Sequence, residues 1–163
     1  MSLDDMRAAA ALGDPVAQSV LGYKYDVGED VPQDHAMAAS WYRRAAERGY
    51  ANAQFNLAEM LLDGVGVEQS SEQAFVWYSK AAIQGHSTAQ YNLAVMYSKG
   101  EGVVADNRLA YVWFALSAEG DADGAIQARE MVAKEIGDQI DEANKILADL
   151  KATIAAKSSY YGR

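Results

Sequence analysis

Two periods run through the chain at once. The short one is helical. Ala53, Leu57, Met60 and Leu61 recur at spacings of three and four, and Gly64-Val65-Gly66 interrupts them. A second stripe follows in Ala74, Trp77, Tyr78, Ala81 and Ala82, ended by Gly85. Such spacing places each set on one face of a helix, and the glycines predict where each helix stops. The long period is 36 residues. Ala17-Gln18, Ala53-Gln54 and Ala89-Gln90 fall in register, as do Leu21, Leu57 and Leu93, then Gly28, Gly64 and Gly100, then Val31, Val67 and Val103. All three tryptophans, Trp41, Trp77 and Trp113, share one register position. A fixed period of this length marks a stack of equivalent units, each burying its apolar face against the next.

The polar residues between the stripes predict the element ends. Asp34, Ser70 and Asp106 stand where second helices begin, each with an oxygen able to accept from unpaired first-turn N–H groups. Ser70 and Gln73 have capping-box spacing. Asp14-Pro15 combines a cap with proline at the first helical position. The glycine pairs of "GVG" and "GEG" supply positive φ between the two helices of a unit, and Asp30 replaces the second of them in the first unit.

The pattern AxAQxxLxxxY/LxxGxGV…AxxWYxKAAxxG, carried by these residues from about Asp5 to Ala122, resembles the Sel-one-like repeat, a relative of the tetratricopeptide repeat. The resemblance implies an all-α fold: an α-solenoid of antiparallel helix pairs forming a right-handed superhelix, used as an adaptor surface. The expected organisation is a partial unit at 1–13, units at 14–49, 50–85 and 86–121, capping helices over 121–157 and a frayed tail at 158–163. The chain departs from the pattern at Asp30, and between Trp113 and Gly120 the third unit reads one residue short. Beyond Gly120, Asp121 is expected to cap a helix running to about Ile136, Gly137 to stop it, and Asp138 to start another. That last helix carries Ile140, Ala143, Leu147, Leu150 and Ile154. Its stripe reads as a cap on the open end of a monomer, the alternative being a homodimer seam through 138–157.

Composition narrows the partners. The formal charge of −9 argues against a nucleic-acid or anionic membrane surface. The absence of cysteine excludes thiolate catalysis and Cys-type metal sites. No apolar run is long enough to cross a membrane, so a soluble protein is expected. It reads as cytoplasmic as the chain stands, and periplasmic or secreted if an upstream signal has been removed. His35 and His86 occupy unrelated register positions, with Ser71 and Tyr50 as counterparts, and are read as surface residues. Gly64-x-Gly66 lacks the third glycine and the strand of a dinucleotide fingerprint. No catalytic residue, metal site or cofactor is assigned.

Residues strictly repeated serve the scaffold, so function is sought where the units differ. If the first helix of each pair lines a concave groove, as the resemblance implies, the "AQxxL" frame puts Val16, Asn52 and Thr88 in one exposed row. Ser19, Phe55 and Tyr91 form a second, and Tyr23, Glu59 and Val95 a third. Asn56 and Asn92 stand beside them and can offer both donor and acceptor to a peptide backbone. The expected groove residues are therefore Tyr23, Asn52, Phe55, Asn56, Glu59, Thr88, Tyr91, Asn92 and Val95. The expected function is a non-enzymatic adaptor that holds a protein or peptide segment, with Phe55 and Tyr91 as anchors. The alternatives are a self-associating structural spacer and, through the resemblance alone, a hydrolase of β-lactam-like substrates.

Overall fold

Every regular element among the residues described is helical. The computed structural model describes residues 2–161, with side chains up to residue 157. In chain order the elements are α1 (Leu3–Ala11), α2 (Pro15–Val27), α3 (His35–Glu47), α4 (Ala51–Asp63), α5 (Ser71–Ile83), α6 (Ser87–Lys99), α7 (Asn107–Glu119), α8 (Ala125–Ile136) and α9 (Ile140–Tyr161). A 3₁₀ turn, Gly137–Gln139, joins the last two. The chain parts into two compact units between Lys80 and Ala81, inside α5.

In the first unit, α1 packs on α2, α2 on α3 and α3 on α4. Ala10, Ala17 and Leu21 form a buried cluster against which Leu3, Met6, Ala9 and Trp41 pack. Trp77 is buried, whereas Trp41, at the same register position, is only half-buried. Alanines fill much of this interior, and Ala38, Ala45, Ala53, Ala58 and Ala74 show no exposed surface. Small side chains let helix axes approach, which is why the sequence spends so many alanines there.

The helix ends follow the sequence closely. Asp14 Oδ1 accepts from the N–H groups of Val16 and Ala17, with Pro15 at the first position. Asp34 Oδ1 accepts from Met37 N–H at 2.9 Å, and Ser70 Oγ from Gln73 N–H at 3.2 Å. The capping box at Ser70 does not close. Its own N–H donates to the Leu61 carbonyl, just as the N–H groups of Asp34 and Asp106 donate to Tyr25 and Tyr97. In every repeat this bond ties the start of the second helix to the end of the first, leaving nothing for the Gln73 side chain to satisfy.

The loops show why glycine is needed at some positions and not others. Gly66 has a φ of 70°, and a Cβ there would lie 2.2 Å from the carbonyl oxygen of His35, so backbone meets backbone. Asp30, its counterpart, holds a φ of 62° with its carboxylate 2.7 Å from Lys24 Nζ.

In the second unit, α6 packs on α7, and α7 on both α8 and α9. Asp106 caps α7 through the N–H groups of Arg108 and Leu109. The bond to the Arg108 side chain, chiefly, lowers its carboxyl below the usual range. Ser117 is fully buried and its hydroxyl donates to the Ser87 carbonyl at 2.9 Å.

Four expectations for this region change. Asp121 does not cap a helix: α8 begins at Ala125, after Gly124. Asp121 instead stands in the register of Gly13, Gly49 and Gly85, with a φ of 56° where they have 94°, 86° and 90°. The third repeat is therefore of full length, with aspartate taking the left-handed position. Asp138 lies within the 3₁₀ turn, and α9 starts at Ile140. The helix then runs to Tyr161, so the segment read as a tail from 158 is helical to that point, and 162–163 lie outside the described residues.

Helix α9 docks on α7. Tyr111 Oη donates to Asn144 Oδ1 at 3.0 Å, Arg108 pairs with Glu142 at 3.0 Å, and Lys151 pairs with Glu119. Ala143 is fully buried, and Ile140, Leu147, Leu150 and Ile154 are half-buried.

Candidate partner-binding faces

The strictly repeated Gln18, Gln54 and Gln90 are structural. Each is buried, and each donates from Nε2 to a main-chain carbonyl eight residues earlier: Ala10, Ala46 and Ala82, at 3.0, 3.1 and 3.0 Å. The bond locks the first helix of a repeat to the last turn of the helix before it. That link connects the sequence period directly to packing.

The variable positions divide. In the first unit Tyr23 is 52% exposed and Val16 51% exposed, both on α2, and Asn52 on α4 is exposed. Ser19, expected in the exposed row, is buried. Phe55 is half-buried, its ring centroid 5.9 Å from that of Tyr78. Glu59 accepts a hydrogen bond from the Tyr78 hydroxyl. Burial, then the nearby Asp26 and Tyr23, push the Tyr42 phenol well above its ordinary range, and Asn56 opposes them. Residues of both α2 and α4 therefore act on the Tyr42 phenol, and Phe55 and Glu59 both contact Tyr78.

In the second unit Thr88 is exposed, while Tyr91, Asn92 and Val95 are half-buried. Tyr91 meets Phe114 edge-on, at 5.2 Å between centroids and 68° between planes. The same ring lies beside Gly124, in the turn before α8.

Other contacts were not visible in the sequence. Lys80 Nζ sits 4.2 Å from the Trp77 ring centroid, and the Arg44 guanidinium 4.6 Å from that of Trp41. A cation held over an indole in this way shields the face that packing leaves open. His35 Nδ1 lies 2.8 Å from Asp26 Oδ1. His86 caps α6, its Nδ1 accepting from the Ala89 N–H at 3.1 Å, and partial burial lowers its pKa from 6.5. His86 thus serves a helix start, and His35, the first residue of α3, ties that helix to α2. Among the described residues no cluster of three or more His, Cys, Asp or Glu could hold a metal ion, and no helix is long and apolar enough to cross a membrane.

The geometry describes a class: helix pairs repeated every 36 residues, stitched by buried glutamines and followed by further helices. Models of the Sel1 repeat match residues 15–50, 51–86 and 87–121, and the chain belongs to the Sel1 repeat family. Among solved structures it is similar to a Sel1 repeat protein from Oxalobacter formigenes, at 36% identity and a TM-score of 0.74, over 78% of this chain and 96% of that one. It is also similar to a protective antigen present in uropathogenic Escherichia coli strains, displaying an SLR fold, at 41% identity and a TM-score of 0.74. That match covers 77% of this chain but only 27% of the antigen. No curated protein matches the chain. Sel1 repeat proteins generally mediate protein–protein interaction.

Proposed function

We propose that this chain is a non-enzymatic adaptor whose variable first-helix faces bind a segment of another protein. The observation that carries the reading is Tyr23. A tyrosine more than half exposed stands on a helix whose neighbouring Leu21 and Gly22 are buried, and Asp26 of that helix and Asn56 of α4 both act electrostatically on the Tyr42 phenol. An exposed ring beside fixed polar groups is the make-up of a binding anchor rather than of a solvated face. Asn52 on α4 extends this face, and Thr88 is the exposed one of the variable positions on α6 named above.

Phe55 and Tyr91 take a different part in this reading. Each ring already packs on Tyr78 or Phe114 and is only half-buried, so each offers its remaining surface to a partner while also serving its own unit. Asn56 and Glu59 likewise face tyrosine hydroxyls, so they fix those rings as much as they meet a ligand. Family membership supports interaction over hydrolysis.

Selection of peptides from a displayed random library, followed by titration of the selected peptides, tests the proposal. Tyr23→Ser is expected to weaken binding about tenfold, roughly 1.4 kcal/mol, with an unchanged helical spectrum. Glu68→Ala, at an exposed loop residue, serves as the control. Selected peptides that bind Tyr23→Ser and Asn52→Ala as tightly as the parent would remove the reading. We also propose that the docking of α9 on α7 uses its stripe within the unit, so that the chain sediments as a monomer. A dimer dissociated by Leu150→Glu would favour the spacer alternative.

A further inference from the structure

Four positions on α2 set the first repeat apart. Val16, Val20, Tyr23 and Val27 follow one another at spacings of four, three and four, which puts them in one narrow stripe along the helix. Val20 is half-buried, and about half of each of the other three faces water. The same register on α4 reads Asn52, Asn56, Glu59 and Asp63, and only Val95 is apolar among the counterparts on α6. Stacking does not conceal these places. Asn52 and Asp63 stay exposed although α2 precedes α4 and both helices pack on α3. Apolar groups that are exposed as well as variable are not accounted for by packing, and a row of them on one helix marks a contact surface.

The surroundings are acidic. From Asp14 to Asp30 the chain carries four carboxylates against a single lysine, Lys24, whose ammonium is held by Asp30 at 2.7 Å and Glu29 at 3.6 Å. Helix α4 adds Glu59 and Asp63 and no cation. A second copy of the chain is therefore a poor occupant. Asp14 stands at one end of the stripe and Asp26, Glu29 and Asp30 at the other, so either orientation brings like charges together.

We propose that an amphipathic helix of a partner protein lies along α2, its apolar stripe on Val16, Val20, Tyr23 and Val27 and its lysines or arginines toward Asp26 and Asp63. The stripe is about 16 Å long, three turns of a helix. A helix suits it because its own backbone groups are already paired. An extended segment would press unpaired N–H and C=O groups onto a row with only the Tyr23 hydroxyl to answer them. The spacing matches too, since residues three and four apart on a partner helix recur every ~5 Å, as these do. The inference rests on the Tyr23 face being the binding face, and adds the shape and charge of what binds there.

The test titrates the full chain with a labelled peptide of about 18 residues, long enough to fold on docking. It carries leucines at spacings of four and three, with lysine and alanine between. Anisotropy reports binding, and circular dichroism reports helix formed beyond the sum of the parts. Three companions are a scrambled peptide of the same composition, one with glutamate for lysine, and one with a central proline. The amphipathic lysine peptide is expected to bind and gain helix, and each companion to bind at least about tenfold more weakly. Val16→Asn with Val27→Asp gives α2 the residues of the second repeat. This double variant should keep its helical spectrum and lose about tenfold in affinity despite its added negative charge. Asp63→Asn should lose about twofold. Absence of binding by the lysine peptide overturns the proposal. So does equal binding of the scrambled peptide, which would leave net charge as the whole attraction, or equal binding of the proline peptide. A chain that sediments as a dimer dissociated by the double variant would give the stripe to a second copy instead. Library peptides that need Tyr23 yet bind the double variant as tightly as the parent would overturn the helical occupant and leave the Tyr23 face standing. Indifference of library peptides to Tyr23→Ser and Asn52→Ala is the separate failure of that face.

Discussion

Tyr42 and Tyr78 occupy the same register in consecutive repeats, yet their rings are held by different means. Tyr78 has Phe55 against it, with Ala58 on the neighbouring turn of α4. Tyr42 has Ser19 where Phe55 would be and Gly22 where Ala58 would be. Its ring lies so close over Gly22 that a Cβ there would come within 2.7 Å of the ring carbons. One repeat fills the space with a second aromatic, and the other lets the first ring settle onto bare backbone. Both tyrosines end fully buried or nearly so, at 2% and 0%. The pairing teaches that a serine in one repeat does not make the phenylalanine of the next dispensable, because the compensation sits three residues further along the helix.

The tryptophans carry the same contrast at larger scale. Trp77 is buried beneath Lys80, whereas Trp41 is half-buried beneath Arg44. Trp77→Ala is expected to cost about 3–5 kcal/mol, a large part of the stability of an ordinary domain, and Trp41→Ala clearly less. Thermal or urea unfolding of the two variants measures the gap. Equal losses would mean that the exposure of Trp41 does not govern its contribution. Lys80 covers the Trp77 ring, so Lys80→Ala is expected to lower the melting point slightly rather than leave it unchanged.

Phe55→Ala should cost about 2 kcal/mol, below the range for a fully buried phenylalanine because part of the ring already faces water. The sharper experiment converts the first repeat into the second. Gly22→Ala alone is expected to cost about 1–3 kcal/mol by pressing on the Tyr42 ring. Ser19→Phe alone should cost a similar amount, because the ring above Gly22 leaves its partner badly placed. Together they recreate the second-repeat arrangement, and the double variant should be more stable than the sum of the singles by at least about 0.5 kcal/mol. Strict additivity would show that the two packings are not alternatives.

What the sequence disclosed and what it hid follow one rule. Features fixed by neighbours within a few residues were legible: the caps at Asp14, Asp34 and Asp106, the left-handed Gly28 and Gly64, the positive φ of Asp30. The period exposed the family because each repeat meets the same demands. Features set by groups distant in sequence were not legible. The N–H of Ser70 was taken by Leu61, so the capping box stayed open. Aspartate suits both a cap and a left-handed turn, and at Asp121 only the register of Gly85 separates the two. Of the variable first-helix positions, Tyr23, Asn52 and Thr88 are exposed, while Ser19 is buried and Phe55 and Tyr91 are shared with packing.

The smallest expected effect concerns the starts of the first helices. Asp14 caps α2 with a carboxylate, Tyr50 stands before α4 without a side-chain cap bond, and His86 caps α6 through an imidazole nitrogen. Only the last can be switched off near neutral pH. Protonation removes the acceptor that serves the Ala89 N–H and sets a positive charge at the positive end of the helix dipole. Partial burial already depresses the folded-state pKa of His86 below 6.5, so the unfolded chain binds the proton more readily. The contribution is therefore complete above about pH 6.5 and is lost as the pH falls through the depressed folded value. His86→Asn keeps a capping oxygen that does not titrate. The parent should lose more stability than this variant between pH 7.5 and pH 5.5, by at most about 1 kcal/mol, the usual worth of a cap. Carboxylate titration largely cancels in the difference between the two proteins. Parallel melting curves across that interval would mean that the imidazole is replaced at the helix start without consequence. A parent that gains stability on acidification relative to His86→Asn would reverse the sign and show the cap bond to be unimportant beside the charge of the acidic surface.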